Sequence, residues 1–251
     1  MSESIGSLIG ALPAEQRTCD EHGDYLARSI AGRWTPCPVC NAARMDAQRR
    51  LQQEQDNRDR AEMRIAQSGI PPRFVGCGLD NYRVTNDGQR KALDFALELS
   101  AALSERAEAG RSAVFCGRPG NGKTHLACAI ASAAIHGGRD AVFTTAIRLV
   151  RRIKETWSRD SVETESEAIR SFVRPDLLVI DEIGVQFGSE TEKLLLFDVL
   201  NDRYEQRKSV VLVSNLAIDG VKEFLGERVF DRLREDDGVY IPFTWDSYRG
   251  S

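Results

Sequence analysis

The stretch that decides the fold runs from Gly117 to Thr124 and reads G-R-P-G-N-G-K-T. It matches the phosphate-loop pattern G-x-x-x-x-G-K-[ST], in which glycines let backbone N–H groups surround phosphate oxygens. The pattern assigns Lys123 to the β- and γ-phosphates and the Thr124 hydroxyl to Mg²⁺. The flanking runs 112–116 and 125–135 suit a buried strand and a helix whose N-terminus attracts phosphate. The residues predicted to hold ATP are Gly117, Arg118, Pro119, Gly120, Asn121, Gly122, Lys123, Thr124 and His125.

A second motif, L-L-V-I-D-E at residues 177–182, favours nucleotide binding over the alternative of a Gly-rich turn that binds nothing. Its four apolar residues suit a strand buried on both faces of a parallel sheet. Such a strand places Asp181 and Glu182 at its carboxyl end, where open α/β sheets bind their ligands. We expect Asp181 to hold Mg²⁺, directly or through water, and Glu182 to polarise the attacking water. A nucleotide kinase needs no second carboxylate, so the pair favours ATP hydrolysis.

The composition excludes a broadly basic nucleic-acid-binding protein and a membrane protein. The 251 residues are 41% hydrophobic and 29% charged, with a net charge of −4, so any nucleic-acid contact must be local. We find no apolar run of about eighteen residues and no secretory segment near the start, so we expect a cytoplasmic protein without membrane contact. The six cysteines are then thiols or metal ligands rather than disulfides. Three of them lie among apolar neighbours and are expected to be buried: Cys77, Cys116 and Cys128.

The other three cysteines cluster with a histidine near the start of the chain. Cys19 and His22 have the spacing C-x2-H, and Cys37 and Cys40 have the spacing C-x2-C. Two such pairs can bind one tetrahedral Zn²⁺, and four protein ligands leave no open position for catalysis. We therefore predict a structural zinc module over residues 1–41, whose folding energy comes from the metal because so short a region buries little core. The alternative is a flexible tail that binds no metal.

The rest of the chain divides into a polar helix and an α/β domain. Residues 42–68 are rich in helix formers with a thin apolar stripe, and Gly-Ile-Pro-Pro at 69–72 stops the helix. A helix this polar is a solvated spacer or pairs with a partner. Residues 69–251 alternate strands and helices, which predicts a three-layer sandwich around a five-stranded, mostly parallel sheet. The predicted strands span 112–116, 141–144, 177–180, 210–213 and 239–243. The predicted helices span 90–107, 125–135, 149–157 and 191–207.

Two further polar residues suit an ATP switch. Asn215 follows the strand 210–213, where it can bind the γ-phosphate or the attacking water, although a loop-capping Asn is an equally ordinary use. Arg232 lies in a charged helical segment, where it either forms solvated ion pairs or reaches a neighbouring subunit's γ-phosphate as an arginine finger. The two earlier motifs favour the sensor role for Asn215, whereas the sequence alone leaves the choice for Arg232 open.

These residues resemble those of the bacterial DnaC-type replicative helicase loaders, a branch of the AAA+ P-loop ATPases that also includes the IstB-type transposition helpers. The resemblance covers residues 68–248 and is carried by S-G-I-P-P-R-F, D-N-Y-R-V, G-R-P-G-N-G-K-T-H-L-A and L-L-V-I-D-E-I-G-V-Q. The late segments L-G-E-R-V-F-D-R-L-R and F-T-W-D-S-Y-R look more like the loader branch. The resemblance implies that Arg232 is the arginine finger at the subunit interface and that Arg249 is a second sensor of nucleotide. It also implies that Phe74 and Tyr82 lie near the adenine.

The resemblance also implies a channel for single-stranded DNA, lined by Lys154 and Trp157 on an inserted helical element. A lysine and an aromatic ring suit phosphate contact and base stacking. Trp157 in the protein core is the alternative. At a second DNA-contact position of the family, usually aromatic, this chain has Thr191. The metal cluster is another departure, because the typical loader begins with a helical domain that grasps the helicase.

The function that the resemblance implies is ATP-dependent loading of a ring-shaped, DnaB-type replicative helicase onto single-stranded DNA. ATP would assemble copies of the chain through the nucleotide interface, and hydrolysis would release them. Two alternatives stay open at this stage. One is a transposition helper that assembles on duplex DNA, and the other is an adaptor that binds ATP as a latch with little turnover.

Overall fold

A computed structural model describes residues 12–105, 110–184, 190–235 and 238–248. The contacts among residues divide the chain into two units, Met1–Asp59 and Arg60–Ser251. Within the described ranges, none of the helices combines the length and the apolar composition needed to cross a bilayer.

The first unit opens with an antiparallel sheet that the sequence did not lead us to predict. Its strands are β1 (Ala14–Cys19), β2 (Gly23–Ile30) and β3 (Arg33–Trp34), in that order across the sheet. β1 and β2 form a hairpin whose last pair is Cys19 with Gly23. The hairpin strands are mostly polar and largely exposed, so they lack the apolar alternation by which strands are recognised.

Helix α1 (Pro38–Gln67) follows and runs from the first unit into the second. It begins four residues before the predicted segment, because a proline is well tolerated in the first turn of a helix. Its exposed apolar side chains include Met45, Leu51 and Met63. In the second unit its last turns bury Ala61 and Ile65 in a hydrophobic core.

Among the residues that the structure describes, the sheet of the second unit has five parallel strands, which confirms the predicted α/β class. They are β4 (Ala113–Cys116), β5 (Ala141–Thr145), β6 (Leu177–Ile183), β7 (Ser209–Ser214) and β8 (Val239–Pro242). The order across the sheet is β5-β6-β7-β4-β8, and all four pairings are parallel. The strand before the phosphate loop therefore lies in the interior of the sheet, and β7 separates it from the acidic strand β6.

Within the described parts of the second unit, seven helices cover this sheet or connect its strands. They are α2 (Asp87–Glu105), α3 (Lys123–His136), α4 (Ala146–Glu155), α5 (Glu165–Val173), α6 (Glu190–Glu205), α7 (Ile218–Leu225) and α8 (Glu227–Arg232), with a short 3-10 helix at Pro72–Phe74. We did not predict α5 as a separate helix. Its start carries a capping box in which Thr164 and Glu167 bind each other's backbone N–H groups, a signal that the sequence contains.

Two hydrophobic cores lie on the two faces of the sheet. One joins α2 and α3 to the strands through residues such as Leu99, Leu126 and Phe115. The other joins α4, α5 and α6 to the opposite face, where Leu149 and Leu196 are fully buried. Strand β6 contributes alternate residues to both cores, as expected for a central strand of a parallel sheet. The three-layer sandwich is thereby confirmed.

A fully buried arginine, Arg203, stabilises the amino ends of the central strands. Its guanidinium donates hydrogen bonds of 2.6–3.2 Å to five backbone carbonyl oxygens. The acceptors are Phe172, Val173, Pro175, Asp176 and Ser209. These contacts hold the loop before β6 against the start of β7, at the edge of the sheet opposite to the predicted site residues.

Candidate nucleotide site and metal cluster

A cavity of about 480 Å³ lies at the carboxyl ends of β4, β6 and β7. This is the edge where open α/β sheets bind ligands. The predicted residues that line it are Phe74, Tyr82, Pro119, Gly120, Gly122, Lys123, Thr124, His125, Asp181, Glu182 and Asn215. The fold therefore brings the two motifs and the residue after β7 to one cavity. Its volume is within the range of small-molecule sites.

The phosphate loop needs glycine at two positions for steric reasons. Gly117 has φ +131°, and a Cβ atom there would lie 2.3 Å from the carbonyl oxygen of Phe243. Gly122 has φ +93° and precedes α3, and a Cβ there would lie 3.1 Å from the Tyr82 ring. Both backbone angles fall in the region that side chains disfavour. The loop thus takes its shape from close packing on the segment after β8 and on Tyr82.

The Lys123 ammonium group lies inside the loop. Its Nζ donates to the carbonyl oxygens of Gly117 and Arg118, both at 2.7 Å, and to Asn121 Oδ1 at 3.1 Å. Residues Gly117, Arg118 and Asn121 do not line the cavity. They hold the lysine instead, at the point from which it can turn towards a phosphate.

Asn121 ties the loop to the segment that follows β8. The side chain is fully buried, and its Nδ2 donates to the Phe243 carbonyl oxygen at 2.5 Å. The Trp245 indole donates to the Asn121 carbonyl oxygen at 2.8 Å, and the Tyr248 backbone N–H donates to Gly120 at 2.9 Å. Three hydrogen bonds therefore fix the loop against residues 243–248.

The acidic pair stands at a break in strand β6. The pairing of β6 with β7 shifts register between Ile180 and Ile183, so Asp181 and Glu182 have no partners in β7, while Asp181 still pairs with Thr145 of β5. Glu182 has φ +62°, a left-handed backbone that is uncommon outside glycine, and its N–H donates to Asp181 Oδ1 at 2.7 Å. Bulges and strained backbones of this kind are frequent at functional sites, where they redirect a side chain. Here the Glu182 side chain is exposed at the cavity.

Thr124 and Asp181 form a pair of oxygen ligands suited to Mg²⁺. The Thr124 hydroxyl donates to Asp181 Oδ2 at 2.9 Å. Burial raises the pKa of Asp181, while the Glu182 N–H, the Thr124 hydroxyl and the Lys123 charge act in the opposite direction. A cation beside this carboxyl would favour its ionised form. Hydroxyl and carboxylate oxygens are the hard ligands that Mg²⁺ uses beside nucleotide phosphates.

Asn215 follows β7 and lines the cavity with its side chain exposed. The turn that carries it is fixed by Ser214, whose hydroxyl donates to the Ile183 carbonyl oxygen at 2.6 Å and accepts from the Leu216 N–H at 3.1 Å. These bonds connect the end of β7 to the end of β6. Asn215 is therefore held beside the acidic pair, as a residue that senses the γ-phosphate must be.

Four cavity residues were not among the predicted ones: Arg73, Asn81, Arg83 and Tyr248. They belong to the motifs P-P-R-F, D-N-Y-R and W-D-S-Y-R, which we used to recognise the family without assigning these residues a role. The motifs were the available signal. The sequence did not indicate that these segments, which are distant from the phosphate loop in the chain, line the same cavity as the loop.

Arg232 does not line this cavity. Its Nη1 donates to Asn201 Oδ1 at 2.5 Å, and its guanidinium lies 4.7 Å from the centre of the Tyr204 ring. The side chain is thus held on α6 of its own chain, and among the described residues it forms none of the solvated ion pairs that were the alternative. Arg249 lies outside the described residues.

The two predicted DNA-contact residues lie at or just beyond the end of α4. Lys154 forms an ion pair with Glu192 at 2.9 Å, and both side chains are partly exposed. Trp157 is 50% exposed, and its indole donates to Glu165. The alternative of a core tryptophan is wrong, since the ring belongs to neither hydrophobic core.

In the first unit, the hairpin turn and the start of α1 bring the predicted metal ligands together. The ligand atoms of Cys19, His22, Cys37 and Cys40 all lie within 4.8 Å of one another. Cys19 Sγ is 3.6 Å from Cys40 Sγ and 3.7 Å from His22 Nδ1, and Cys40 Sγ is 3.3 Å from His22 Nδ1. A tetrahedral zinc with Zn–S distances of about 2.3 Å separates its ligand atoms by about 3.5–3.8 Å. The residues therefore fit a zinc ion.

Local electrostatics also suit a metal-binding thiolate. The Glu21 backbone N–H and the His22 side chain lower the pKa of Cys19 to about 6. The neighbouring Cys19 thiol and burial raise the pKa of Cys40, so without a cation only one of these two thiols is favoured as thiolate, and a bound metal ion would favour both. Thiolate is the form of cysteine that binds zinc.

Comparison with known proteins agrees with this geometry. Residues 49–249 match the family described as IstB-like ATP binding protein. The replicative helicase loader DnaC of Buchnera aphidicola subsp. Schizaphis graminum is 38% identical over 185 residues, 74% of each chain. The replicative helicase loader DnaC of Escherichia coli K12 is 34% identical over 197 residues, 78% of this chain and 79% of that one.

Solved structures share the fold. A crystal structure of the DnaC helicase loader aligns with a TM-score of 0.59 at 24% identity, covering 68% of this chain and 99% of that chain. A crystal structure of DnaI aligns with a TM-score of 0.59 at 20% identity, covering 72% and 94%. The α/β unit is therefore a P-loop NTPase fold of the AAA+ type. The chain belongs to the family of IstB-like ATP-binding proteins, the family that includes the DnaC replicative helicase loaders.

Proposed function

We propose that this chain is an ATP-dependent loader that delivers a ring-shaped, DnaB-type replicative helicase to single-stranded DNA. The observation that carries the proposal is the 34–38% identity to replicative helicase loaders over about three quarters of the chain. The cavity brings residues of the phosphate loop together with the acidic pair, which is the arrangement that ATP hydrolysis requires.

In this proposal the cavity binds ATP with Mg²⁺ and hydrolyses it. Lys123 leaves the loop carbonyl oxygens for the β- and γ-phosphates, and Thr124 and Asp181 hold the magnesium ion. Glu182 polarises the attacking water, and Asn215 contacts the water or the γ-phosphate. Support comes from the strained backbone that turns Glu182 out of the ladder into the cavity. Arg249 is the proposed second sensor.

ATP also assembles copies of the chain, with Arg232 reaching the γ-phosphate held by a neighbour. Two observations support a role in trans. Arg232 does not line the cavity of its own chain, and α6 holds its guanidinium through Asn201 and Tyr204. A side chain fixed in this way loses less freedom when it meets a partner. In this proposal, the ATP cycle controls whether copies of the chain are assembled or separate.

Lys154 and Trp157 contact the DNA strand. Both are exposed near the end of α4, whose outward positions also carry Arg148 and Arg151, while Arg152 pairs with Glu163 at 2.8 Å. In a chain with a net charge of −4, this is a local basic surface of the kind that nucleic-acid binding needs. The half-exposed indole offers a surface for stacking an unpaired base.

The N-terminal part docks the helicase. We assign residues 1–41 to a structural zinc module, 42–68 to a partner-binding helix and 69–251 to the ATPase domain. The fit of the four ligand atoms to a tetrahedral zinc supports the first assignment. The exposed apolar side chains Met45 and Leu51 on a polar helix support the second.

A pull-down with a replicative helicase tests the proposal. The full chain and a chain lacking residues 1–59, which keeps Ala61 and Ile65 in the core of the second unit, are immobilised. Helicase retention is measured with and without ATP and single-stranded DNA. We expect the full chain to retain the helicase and the shortened chain to lose it while still binding ATP. Equal retention by both would contradict the N-terminal docking, and no retention by either would contradict the loader.

The same preparation separates the two alternatives. ATP-dependent filaments on duplex DNA, seen by electron microscopy without helicase binding, would instead indicate a transposition helper. Helicase delivery that proceeds unchanged after Glu182→Gln would instead indicate an adaptor with little turnover. For a loader we expect neither result.

A further inference from the structure

Gln89 connects the start of α2 to the nucleotide cavity through a hydrogen bond that the helix itself does not need. The side chain is buried, with 2% of its surface exposed. Its Oε1 accepts from the Asn86 N–H at 3.2 Å, and Asn86 Oδ1 accepts from the Gln89 N–H at 2.9 Å. This reciprocal pair is a capping box, which uses only the oxygen of the glutamine amide. The amide nitrogen is therefore available for another partner.

That partner is the Tyr248 hydroxyl, 159 residues further along the chain, which accepts a hydrogen bond from Gln89 Nε2. The orientation of the amide follows from its other side, where the backbone N–H groups of Thr85 and Asn86 require an acceptor. The Tyr248 O–H in turn donates to the Arg83 carbonyl oxygen at 3.0 Å. Each donor in this series thus meets an acceptor.

Tyr248 belongs to a strap, residues 243–248, that packs on both the phosphate loop and the start of α2. At the loop, the Tyr248 N–H donates to the Gly120 carbonyl oxygen at 2.9 Å. At the helix, a Cβ atom built on Gly88 would lie 3.0 Å from Trp245 Cζ3, so the indole ring leaves no room there for a side chain. The strap therefore joins the loop to the helix start.

The Tyr248 side chain also forms part of the wall of the nucleotide cavity. The bond to Gly120 fixes its backbone, but a tyrosine side chain can still turn between rotamers unless the ring or the hydroxyl is held. Here the hydroxyl is held by Gln89 and Arg83 together. Among the described residues that line the cavity, Gln89 is absent, so it acts on the wall from behind.

We propose that Gln89 is a positioning residue of the ATP site, which acts through the Tyr248 hydroxyl to hold the tyrosine side chain and the strap where bound nucleotide requires them. The inference rests on the proposed ATP site and adds to it a residue of α2 that lies outside the cavity. Its loss displaces one wall and leaves Lys123, Asp181 and Glu182 in place. Nucleotide binding is then weakened while the chemical step is not, a pattern that raises KM without lowering kcat.

ATP hydrolysis kinetics and calorimetric titration with ATP test this on the full chain. We expect Gln89→Ala and Tyr248→Phe each to raise the KM and the Kd for ATP about three- to tenfold, the size of one hydrogen bond. The kcat should change by less than about twofold. The double variant should bind ATP as Tyr248→Phe does, because both changes break the same contact.

Asn86→Ala is the matched control, since it breaks the capping box from the other side and keeps the bond between Gln89 and Tyr248. It should lower the unfolding temperature, as Gln89→Ala does, through loss of a helix cap. Its KM for ATP should equal that of the wild type. An equal rise of KM in Asn86→Ala would reduce Gln89 to a helix-capping residue and overturn the inference.

Two further results would also overturn it. One is an unchanged ATP affinity of Tyr248→Phe, a variant that leaves the helix cap intact. The other is a double variant whose loss of affinity is the product of the two single losses, which would mean that Gln89 does not act through Tyr248. If the wild-type chain itself bound no ATP, the proposed ATP site would fail as well. Wild-type binding with unaffected variants would overturn the role of Gln89 alone.

Discussion

The phosphate loop has a large core behind it, whereas the Cys3His cluster has almost none. Phe115, Leu126 and Phe243 are buried directly beneath the loop, and both faces of the sheet are packed. In the described residues of the first unit, the buried side chains are Ala27 and Cys37. One site is therefore held by the fold that surrounds it, and the other must itself hold the fold.

Because of this difference, a bound metal ion would have a different role at each of the two sites. At the nucleotide site, Mg²⁺ would join an arrangement whose hydrogen bonds are already made, such as Thr124 to Asp181. At the Cys3His cluster, zinc would connect a polar hairpin to the start of α1, and its binding energy would be folding energy. Variants of the Cys3His cluster should therefore lose structure, whereas variants of the nucleotide site should keep the fold and lose function.

The largest expected effect is at the metal cluster. Cys40→Ser should remove bound zinc and unfold the hairpin region, because structural zinc contributes on the order of 10–16 kcal/mol in small modules. ATP affinity should be unchanged. Metal analysis by atomic emission with limited proteolysis measures the first two effects. The half-buried Cys77, changed to Ser, is the matched control and should keep the zinc. If the hairpin of Cys40→Ser resists the protease as the wild type does, the metal does not stabilise the hairpin.

Arg232→Ala tests whether the nucleotide site is completed by a neighbour. We expect ATP binding to persist while the hydrolysis rate falls on the order of 10³-fold, the effect of losing an arginine finger. The exposed Arg228 on the same helix, changed to Ala, serves as control and should retain most of the rate. Mixing Arg232→Ala with Lys123→Ala should restore activity if the two residues act from different chains, and no recovery at any mixing ratio would contradict the arrangement in trans.

Glu182→Gln should lower the hydrolysis rate by about 10²- to 10³-fold, since it removes the group that polarises water but leaves the packing intact. ATP affinity should change far less. Phosphate-release assays give the rate, and Glu223→Gln on the exposed face of α7 provides the comparison. A rate for Glu182→Gln close to that of Glu223→Gln would assign the water to another residue.

The smallest effect concerns how the loop is held without ligand. Asn121→Ala removes the hydrogen bonds to Phe243 and Lys123 and should destabilise the ATPase unit by about 1–3 kcal/mol. Urea unfolding without nucleotide measures this difference. The exposed Gln206→Ala should have little effect. Equal stability of the two variants would mean that the loop does not depend on the segment after β8.

The sequence predicted the parts of the nucleotide site that depend on local pattern. The five strands were placed correctly because strands buried on both faces read as continuous apolar runs, with ends that differ by at most three residues. Asp181, Glu182 and Asn215 lie at the carboxyl ends of two of these strands. Because the strands are parallel, these ends meet at one edge of the sheet, and this is why the site could be predicted.

Other features depend on contacts between distant segments, which pattern does not contain. Tyr248 reaches the cavity because the chain after β8 packs on the phosphate loop, and its hydroxyl donates to the carbonyl oxygen of Arg83 from another distant segment. The left-handed backbone of Glu182 follows from the shifted pairing of β6 with β7, not from its residue type. The hairpin of the first unit has too few apolar residues to be seen. Its cysteine spacing was visible because zinc ligation restricts residue type more than strand formation does.

Helicase delivery to a closed circle of single-stranded DNA tests the central claim most directly. The circle is incubated with ATP and a replicative helicase, and unwinding of an annealed strand reports loading. We predict that the wild-type chain raises the unwinding rate at least tenfold, and that Lys123→Ala, which binds the helicase normally, does not raise it. Equal stimulation by Lys123→Ala would contradict the claim that ATP at this site drives loading.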